Sequence, residues 1–240
     1  MKRNLIKMGF SWNIIGQENI IHNLTDLKER NILPNSFIFT GLDGVGKSTL
    51  AFEFAKFLIC NGDQGNDSYK RLENSNHPDY IYIDSESECS DSSCCKNSNA
   101  TVVKNCVINE FVIKSIKFNA LISDYKVIVI NDADKLSKIS NESLLKTLEE
   151  VKGNLIIILL VENIKSMPET IISRCQLWKL NNVSKEELRE KLLMKFPDKH
   201  SDINQIISFG SPTIGESIEM LNDPIFFEER QSCIERVINI

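Results

Sequence analysis

Residues Gly41-Leu-Asp-Gly-Val-Gly-Lys-Ser-Thr49 constrain the fold more than any other stretch of the chain. Glycines at this spacing ahead of Lys-Ser-Thr form a phosphate-binding loop when a strand feeds it and a helix leaves it. Both flanks are present. Ser36-Phe-Ile-Phe-Thr40 is short, apolar and β-prone, and Leu50-Ala-Phe-Glu-Phe-Ala-Lys-Phe-Leu-Ile-Cys60 is long enough for about three helical turns. Glycine lets backbone N–H groups turn inward onto phosphate oxygens where a Cβ would clash. The candidate nucleotide-binding residues are therefore Gly41, Asp43, Gly44, Val45, Gly46, Lys47, Ser48 and Thr49. Lys47 would reach the β and γ phosphates, Ser48 would hold Mg²⁺, and the helix N-terminus adds its positive dipole end. The expected ligand is ATP or ADP with Mg²⁺; a Gly-rich turn before a helix is the plainer reading of the same residues.

The rest of the chain alternates strands with helices. Gln17 to Arg30 places Ile20, Ile21, Leu24 and Leu27 at helical spacing, and Asn61 to Asn76 is polar enough to read as a surface connection. Tyr80-Ile-Tyr-Ile83, Lys126-Val-Ile-Val-Ile130 and Leu155-Ile-Ile-Ile-Leu-Leu-Val161 read as strands; Val107 to Phe118 and Ser143 to Glu150 read as helices. Residues Asp84 to Lys104, rich in Ser, Asn, Asp and Cys, read as a mobile insertion with almost nothing to bury. Such alternation predicts a three-layer α/β domain around a parallel sheet over residues 1–180. After Asn181 the spacing predicts only helices, at Ser184–Met194, Ile203–Phe209, Thr213–Leu221 and Phe226–Ile240, a small lid domain over residues 181–240.

Charge and cysteine content narrow the functional classes. A net charge of −5 gives no overall basic field, so contact with nucleic acid would be local or shared with partners. Residues Met1 to Phe10 lack a secretory h-region, and Leu155–Val161 is too short to span a bilayer, so no membrane partner is expected. Seven cysteines, an odd number, suit free thiols in a reducing compartment, and a cytoplasmic location is expected.

Two further segments narrow the nucleotide site. The strand Lys126–Ile130 runs into Asn131-Asp132-Ala133-Asp134-Lys135, and Leu155–Val161 leads through Pro168 to Ser173-Arg-Cys175. Trp12-Asn-Ile-Ile-Gly-Gln17, Leu33-Pro34, the phosphate loop, His77-Pro-Asp79, Ala133-Asp-Lys135, Leu144-Leu-Lys-Thr-Leu-Glu-Glu150, Ser173-Arg-Cys175 and Gly210-Ser-Pro212 follow in order. The ordered set resembles the clamp-loader branch of the AAA+ ATPases, in particular its delta-prime type in bacterial DNA polymerase III. That resemblance implies a RecA-like AAA+ domain with a helical lid. It also implies partners: the other clamp-loader subunits and, through the assembly, the sliding clamp and primed DNA. A helical collar domain, usual in the family, would find no room before Ile240, so the chain is expected to be either a shortened form that assembles weakly or a fragment.

Departures from the family are equally informative. Active relatives end the Walker B strand in Asp-Glu, whereas this chain has Asn131-Asp132. Asn131 is neutral, and Asp132 is a methylene shorter than the water-activating Glu; a misplacement of ~1 Å can cost ~10²-fold in rate. At the sensor position the resemblance places Glu162, whose carboxylate would repel a γ-phosphate by ~1 kcal/mol at 4 Å in water and ~4 kcal/mol at an effective dielectric of 20. The Gly210–Ile214 segment lacks the family's arginine. With three hydrolytic elements degraded, the resemblance implies a stator with weak or no ATPase of its own, Asp132 being a degenerate Walker B residue. Arg174 would then act in trans on a neighbour's ATP site, or else pair with a carboxylate at a helix end. A self-sufficient P-loop ATPase or kinase is the rival, and a nucleotide-independent module that keeps the loop as scaffold is a third reading.

Relatives usually carry a zinc-binding insertion after the helix ending near Cys60. Here that connection has no second thiol, and Cys89, Cys94, Cys95 and Cys106 form no Cys-x-x-Cys pair, so no zinc is expected. His77 should pack or cap locally beside the Pro78-Asp79 turn.

Overall fold

The computed structural model describes residues 10–90, 103–208, 210, 212–223 and 225–226. The chain divides into two compact units, Met1–Gly41 with Lys47–Leu180 and Leu42–Gly46 with Asn181–Ile240.

The first unit is built on five parallel strands: β1 (Ser36–Thr40), β2 (Tyr80–Ile83), β3 (Lys126–Ile130), β4 (Leu155–Val161) and β5 (Gln176–Lys179). Their order is β2-β3-β4-β1-β5. The interior strands β1 and β4 are buried at every position, as continuous apolar runs covered on both faces must be. Alternation along β1 assigns the two faces. Phe37 and Phe39 meet Phe54 at ring-centroid distances of 5.5 and 6.5 Å, while Ile38 joins Val107, Val112, Leu144 and Leu148 in a separate cluster. Helices α1 (Glu18–Glu29), α2 (Lys47–Ile59) and α3 (Asp67–Glu73) precede β2, and α4 (Lys138–Glu150) and α5 (Glu169–Ile172) follow β3 and β4. The expected three-layer α/β architecture is the one observed.

Helix α2 shows no amphipathic stripe because it is buried nearly all round: ten of its thirteen residues are covered, Glu53 and Lys56 among them. On its outer side Phe57 stacks with Phe10 at 5.5 Å and Trp12 at 5.3 Å, which pins the N-terminal segment to the helix.

Several elements differ from the sequence reading. The Asn61–Asn76 connection contains α3, capped by Asn66, whose side chain accepts from the Ser68 N–H at 3.1 Å. Its one buried large apolar residue, Leu72, is too little to set up a helical period. Strand β5 was not expected; four residues with half-covered and exposed side chains lack the apolar run of an interior strand, and β1 recruits them by pairing Phe37–Thr40 with Gln176–Lys179. The Val107–Phe118 helix is irregular, one α turn (Asn105–Val107) followed by a π segment (Ile108–Ile113) and a 3-10 turn (Lys114–Lys117). In the Asp84–Lys104 insertion, Cys89 and Val103 are buried against the core, contrary to the reading that it has almost nothing to bury; residues 91–102, with Cys94 and Cys95, lie outside the described residues.

Asp79, at the entry to β2, is fully buried. Its carboxylate accepts from the backbone N–H groups of Leu121 at 2.6 Å, Ile122 at 2.9 Å and Ser123 at 2.9 Å, and from the Ser123 hydroxyl at 3.0 Å. Burial alone would push its pKa up, but these four hydrogen bonds outweigh it and hold the carboxyl below its ordinary value. Asp79→Asn exchanges an acceptor for a donor facing donors, and should cost about 2–3 kcal/mol in chemical denaturation at neutral pH. A depressed folded pKa contributes stability above the unfolded value, about 3.9, and loses it as pH falls through the folded value. The gap between wild type and variant should therefore narrow as pH drops below about 4; a gap constant with pH would contradict the carboxylate's role.

The second unit contains α6 (Lys185–Lys195), α7 (His200–Ser208) and α8 (Ile214–Asn222). Ser184 caps α6 through the Glu187 N–H, and Thr213 with Glu216 forms a full capping box at α8. Leu188, Leu192, Ile203, Ile206 and Leu221 are buried. The helix expected over Phe226–Ile240 falls, from residue 227 on, outside the described residues. The loop tip belongs to this unit: the Gly215 N–H donates to the Gly44 carbonyl at 2.8 Å. A Cβ on Gly215 would lie 2.7 Å from Gly44 Cα, and one on Gly44, whose φ is +71°, would lie 2.2 Å from Thr213 Oγ1. Only glycine fits either position. Among the described residues no helix is long and apolar enough to cross a membrane.

Candidate functional site

The phosphate loop leaves β1 at Gly41, whose N–H donates to the Val161 carbonyl at 3.2 Å, and re-enters regular structure at Lys47, the first residue of α2. Gly44 and Gly46 take φ of +71° and +96°, and the Val45 N–H closes a turn onto the Leu42 carbonyl at 3.4 Å. Asp43 accepts from the Gly44 N–H at 2.9 Å through Oδ1. The Lys47 ammonium donates to the Gly41 carbonyl at 2.9 Å. Within the first unit, a buried lysine bonded to the Gly41 carbonyl and a thirteen-residue helix starting at that lysine supply positive charge of the kind a polyphosphate takes.

Ser48, expected to hold Mg²⁺, and Asp132, at the water-activating position, each have partners within the protein. The Ser48 side chain is hydrogen-bonded to the Tyr82 phenol, which reaches it from the edge strand β2. Burial pushes the Tyr82 phenol up; the Ser48 bond pulls it down, and the charges of Asp84 and Asp132 add to the rise. The phenol therefore stays protonated at neutral pH and lies within the field of Asp132. At the end of β3, Asp132 adopts a left-handed conformation, φ +50°, and opens the 3-10 turn Ala133–Lys135. Its carboxylate takes the Lys135 ammonium at 2.8 Å on Oδ1 and the Asn131 amide at 3.1 Å on Oδ2. The hydrogen bond from Lys135 to Asp132 raises the lysine's pKa, against some desolvation, with attraction to Asp134 and Glu162 adding. Glu162, exposed just past β4, thus sits in the field of Lys135, and the next residue is pinned by the Asn163 N–H donating to Asp134 Oδ2 at 2.9 Å.

Arg174 follows α5 and is half-exposed. Its Nη2 lies 2.7 Å from Glu149 Oε1 on α4, and its Nη1 donates to the Thr170 carbonyl at 2.8 Å. Beside it, burial pushes the Cys175 thiol up to about 12, and burial likewise raises Cys60 to about 11, so neither is a thiolate at neutral pH. His77 is buried with Nδ1 accepting from the Asp79 N–H at 3.1 Å, the local packing role expected of it. Among the described residues no three His, Cys, Asp or Glu side chains converge as metal ligands.

Sequence reasoning missed four participants. Tyr82 and Lys135 engage the two groups it had assigned to metal and water. Their signals were present: β2 pairs in parallel with β3, Tyr82 opposite Val129, and Lys135 follows Asp132 at helical spacing. Glu149, partner of Arg174, lies inside a segment read for its helix propensity and its place in the family resemblance, with no role given to its carboxylate. The fourth is the pair Glu53 and Lys56, 2.6 Å apart and almost fully buried on α2, lining with Ser48, Thr49, Phe52, Tyr80 and Tyr82 a cavity of about 520 Å³.

A family described as DNA polymerase III, delta subunit, matches residues 16–184. Curated relatives include subunit tau/gamma of Haemophilus influenzae, 26% identical over 95% of this chain and 33% of the relative. Subunit gamma of Buchnera aphidicola is 30% identical over 73% of this chain and 46% of the relative, and subunit delta' of Bacillus subtilis 25% identical over 95% and 67%. The chain thus spans between a third and two thirds of the length of these relatives. Among solved structures, the Thermotoga maritima RuvB Holliday junction branch migration motor aligns with a TM-score of 0.57 at 16% identity, over 86% of this chain and 60% of that one, a likeness of fold.

Proposed function

We propose, from the premise that the chain belongs to the DNA polymerase III, delta subunit family of clamp-loader subunits, that it works as the delta-prime-type member of a cytoplasmic clamp loader. In that role residues 1–180 form a nucleotide-binding AAA+ domain and residues 181–240 its lid. The subunit acts as a stator: it binds ATP or ADP through Gly41 to Thr49, hydrolyses little or none, and offers Arg174 to the ATP site of a neighbouring subunit. The partners are the ATPase and clamp-opening subunits and, through them, the sliding clamp and primed DNA.

One observation carries the stator reading: Asp132, at the position where active relatives hold the water-activating Glu, is paired with the Lys135 ammonium at 2.8 Å and accepts from the Asn131 amide at 3.1 Å. A general base needs a free lone pair within hydrogen-bond reach of the water it deprotonates. Held by an ammonium and an amide, and a methylene shorter than glutamate, Asp132 is poorly placed to deprotonate a water attacking a γ-phosphate. Glu162 adds a second negative charge near by, which favours Lys135 remaining where it is.

Steady-state ATP turnover by the purified chain tests the reading. Turnover should stand at background and be unchanged by Lys47→Ala, while a fluorescent ATP analogue binds wild type and binds the variant at least about tenfold more weakly. Robust partner-free turnover that Lys47→Ala abolishes would instead establish the rival, a self-sufficient P-loop ATPase or kinase.

A further inference from the structure

We infer that Gly215, at the start of α8, is a positioning residue for the phosphate loop: its backbone fixes the Gly44–Val45 peptide so that the Val45 N–H is held ready for a phosphate oxygen. The inference rests on the nucleotide-binding reading above and adds to that site a residue outside the Gly41–Thr49 motif.

The contact lies wholly within the second unit, to which the loop tip Leu42–Gly46 belongs. The first N–H groups of a helix have no intrahelical acceptor and must find one outside. At α8 the capping box gives the Glu216 N–H to Thr213 Oγ1 at 3.3 Å and the Thr213 N–H to Glu216 Oε2 at 2.7 Å. The Gly215 N–H goes instead to the Gly44 carbonyl at 2.8 Å. That peptide is trans, so with its carbonyl drawn onto α8 its N–H, carried by Val45, points the opposite way. There it meets the Leu42 carbonyl at 3.4 Å, longer than the roughly 2.7–3.2 Å of an ordinary N–H···O bond. The neighbouring Gly44 N–H is already given to Asp43 Oδ1 at 2.9 Å. Of these two loop amides, the Val45 one is therefore the one a phosphate oxygen captures at little cost. A bond to a charged oxygen is stronger than the weak one given up.

The residue type at 215 points the same way. Gly215 lies inside a regular helix, where alanine is favoured over glycine, so the helix gains nothing from it. What it permits is the close approach. A Cβ at this position would lie 2.7 Å from Gly44 Cα and 3.0 Å from the Gly44 oxygen, backbone atoms that cannot turn aside as a flexible side chain would. Any larger residue must push the loop tip and α8 apart, which breaks the bond that orients the Gly44–Val45 peptide.

Titration of the full chain with a fluorescent ATP analogue, for wild type and Gly215→Ala, tests this. The variant should bind at least about tenfold more weakly while its circular dichroism stays that of wild type. Wild-type affinity in the variant would overturn the inference and leave the nucleotide reading intact; no binding by wild type would overturn both. Amide hydrogen exchange on the wild-type chain tests the contact without any substitution. The Gly215 amide should be protected in the free chain, and the Val45 amide should gain at least about tenfold protection when ATP is added. A loss of packing at α8 alone would not move the Val45 amide in this way. A Gly215 amide exchanging as fast as in an unfolded chain, or a Val45 amide indifferent to bound ATP, would overturn the inference.

Discussion

Glu53→Ala is expected to destabilise the protein by about 3–5 kcal/mol, the largest stability loss of any single substitution considered for this chain. Glu53 and Lys56 sit on the buried helix α2 with side chains 3% and 4% exposed, and their charged atoms are 2.6 Å apart. Glu53 also accepts from the Asn13 N–H at 3.0 Å, tying the N-terminal segment to α2. Without the carboxylate, the Lys56 ammonium keeps only the Tyr69 hydroxyl at 3.5 Å and the faces of Tyr69 and Phe52, at 4.8 and 5.0 Å. Such cation–π contacts supply at most about 2 kcal/mol each, less than the cost of an unpaired buried charge. Burial would lower the Lys56 pKa, but the hydrogen bond and charge of Glu53, with Tyr69, raise it. A raised folded pKa contributes stability that is fully present below the unfolded value, near 10.4, and is lost as pH rises through the folded one. Replacing both residues by Met should be near neutral, since a buried ion pair exchanged for apolar groups of like volume often costs nothing. Urea denaturation of the single and double variants reads both effects. A single variant within about 1 kcal/mol of wild type would mean that water in the adjoining cavity already solvates the pair.

Why Glu53 was invisible in the sequence explains much of what was legible and what was not. Interior parallel strands announce themselves, because a strand covered on both faces must be apolar at every position; β1, β3 and β4 were readable to the residue. The phosphate loop was readable because its glycines answer to backbone geometry alone. Strand β5 was not, since an edge strand with half-covered residues carries no continuous run, and α3 was not, since one buried leucine makes no period. The site was half legible. Sequence motifs named the residues that would touch nucleotide, but the groups that engage them come from elsewhere: Tyr82 from a neighbouring strand to Ser48, Glu149 from α4 to Arg174. Such pairs depend on register and crossover, which local sequence does not encode. Lys135 is the exception, three residues from Asp132, where sequence spacing alone already brings the two side chains together.

Arg174→Ala should leave the isolated chain almost as stable as wild type and disable the ATP site of its neighbour. The side chain is 38% exposed and Glu149 50% exposed, so their 2.7 Å pair is a surface contact worth about 0–1 kcal/mol. A contact that weak holds the guanidinium in a defined direction, with the Thr170 carbonyl as its second anchor, yet yields to a stronger anion. In the proposed role phosphate oxygens on a partner would provide one, because a planar fork makes two parallel hydrogen bonds to them and a lysine cannot. Arg174→Lys should therefore rescue little. An arginine supplied to a transferring phosphoryl group is worth about 10³–10⁵ in rate, far beyond the stability cost of removing it. The most direct test of the stator role is single-turnover ATP hydrolysis by the clamp-loader assembly reconstituted with wild-type or Arg174→Ala chain. The expected result is a fall of about 10³-fold at the adjacent site, with slowed clamp loading and the chain's own melting unchanged. Hydrolysis at the wild-type rate by an assembly containing the folded variant would contradict it.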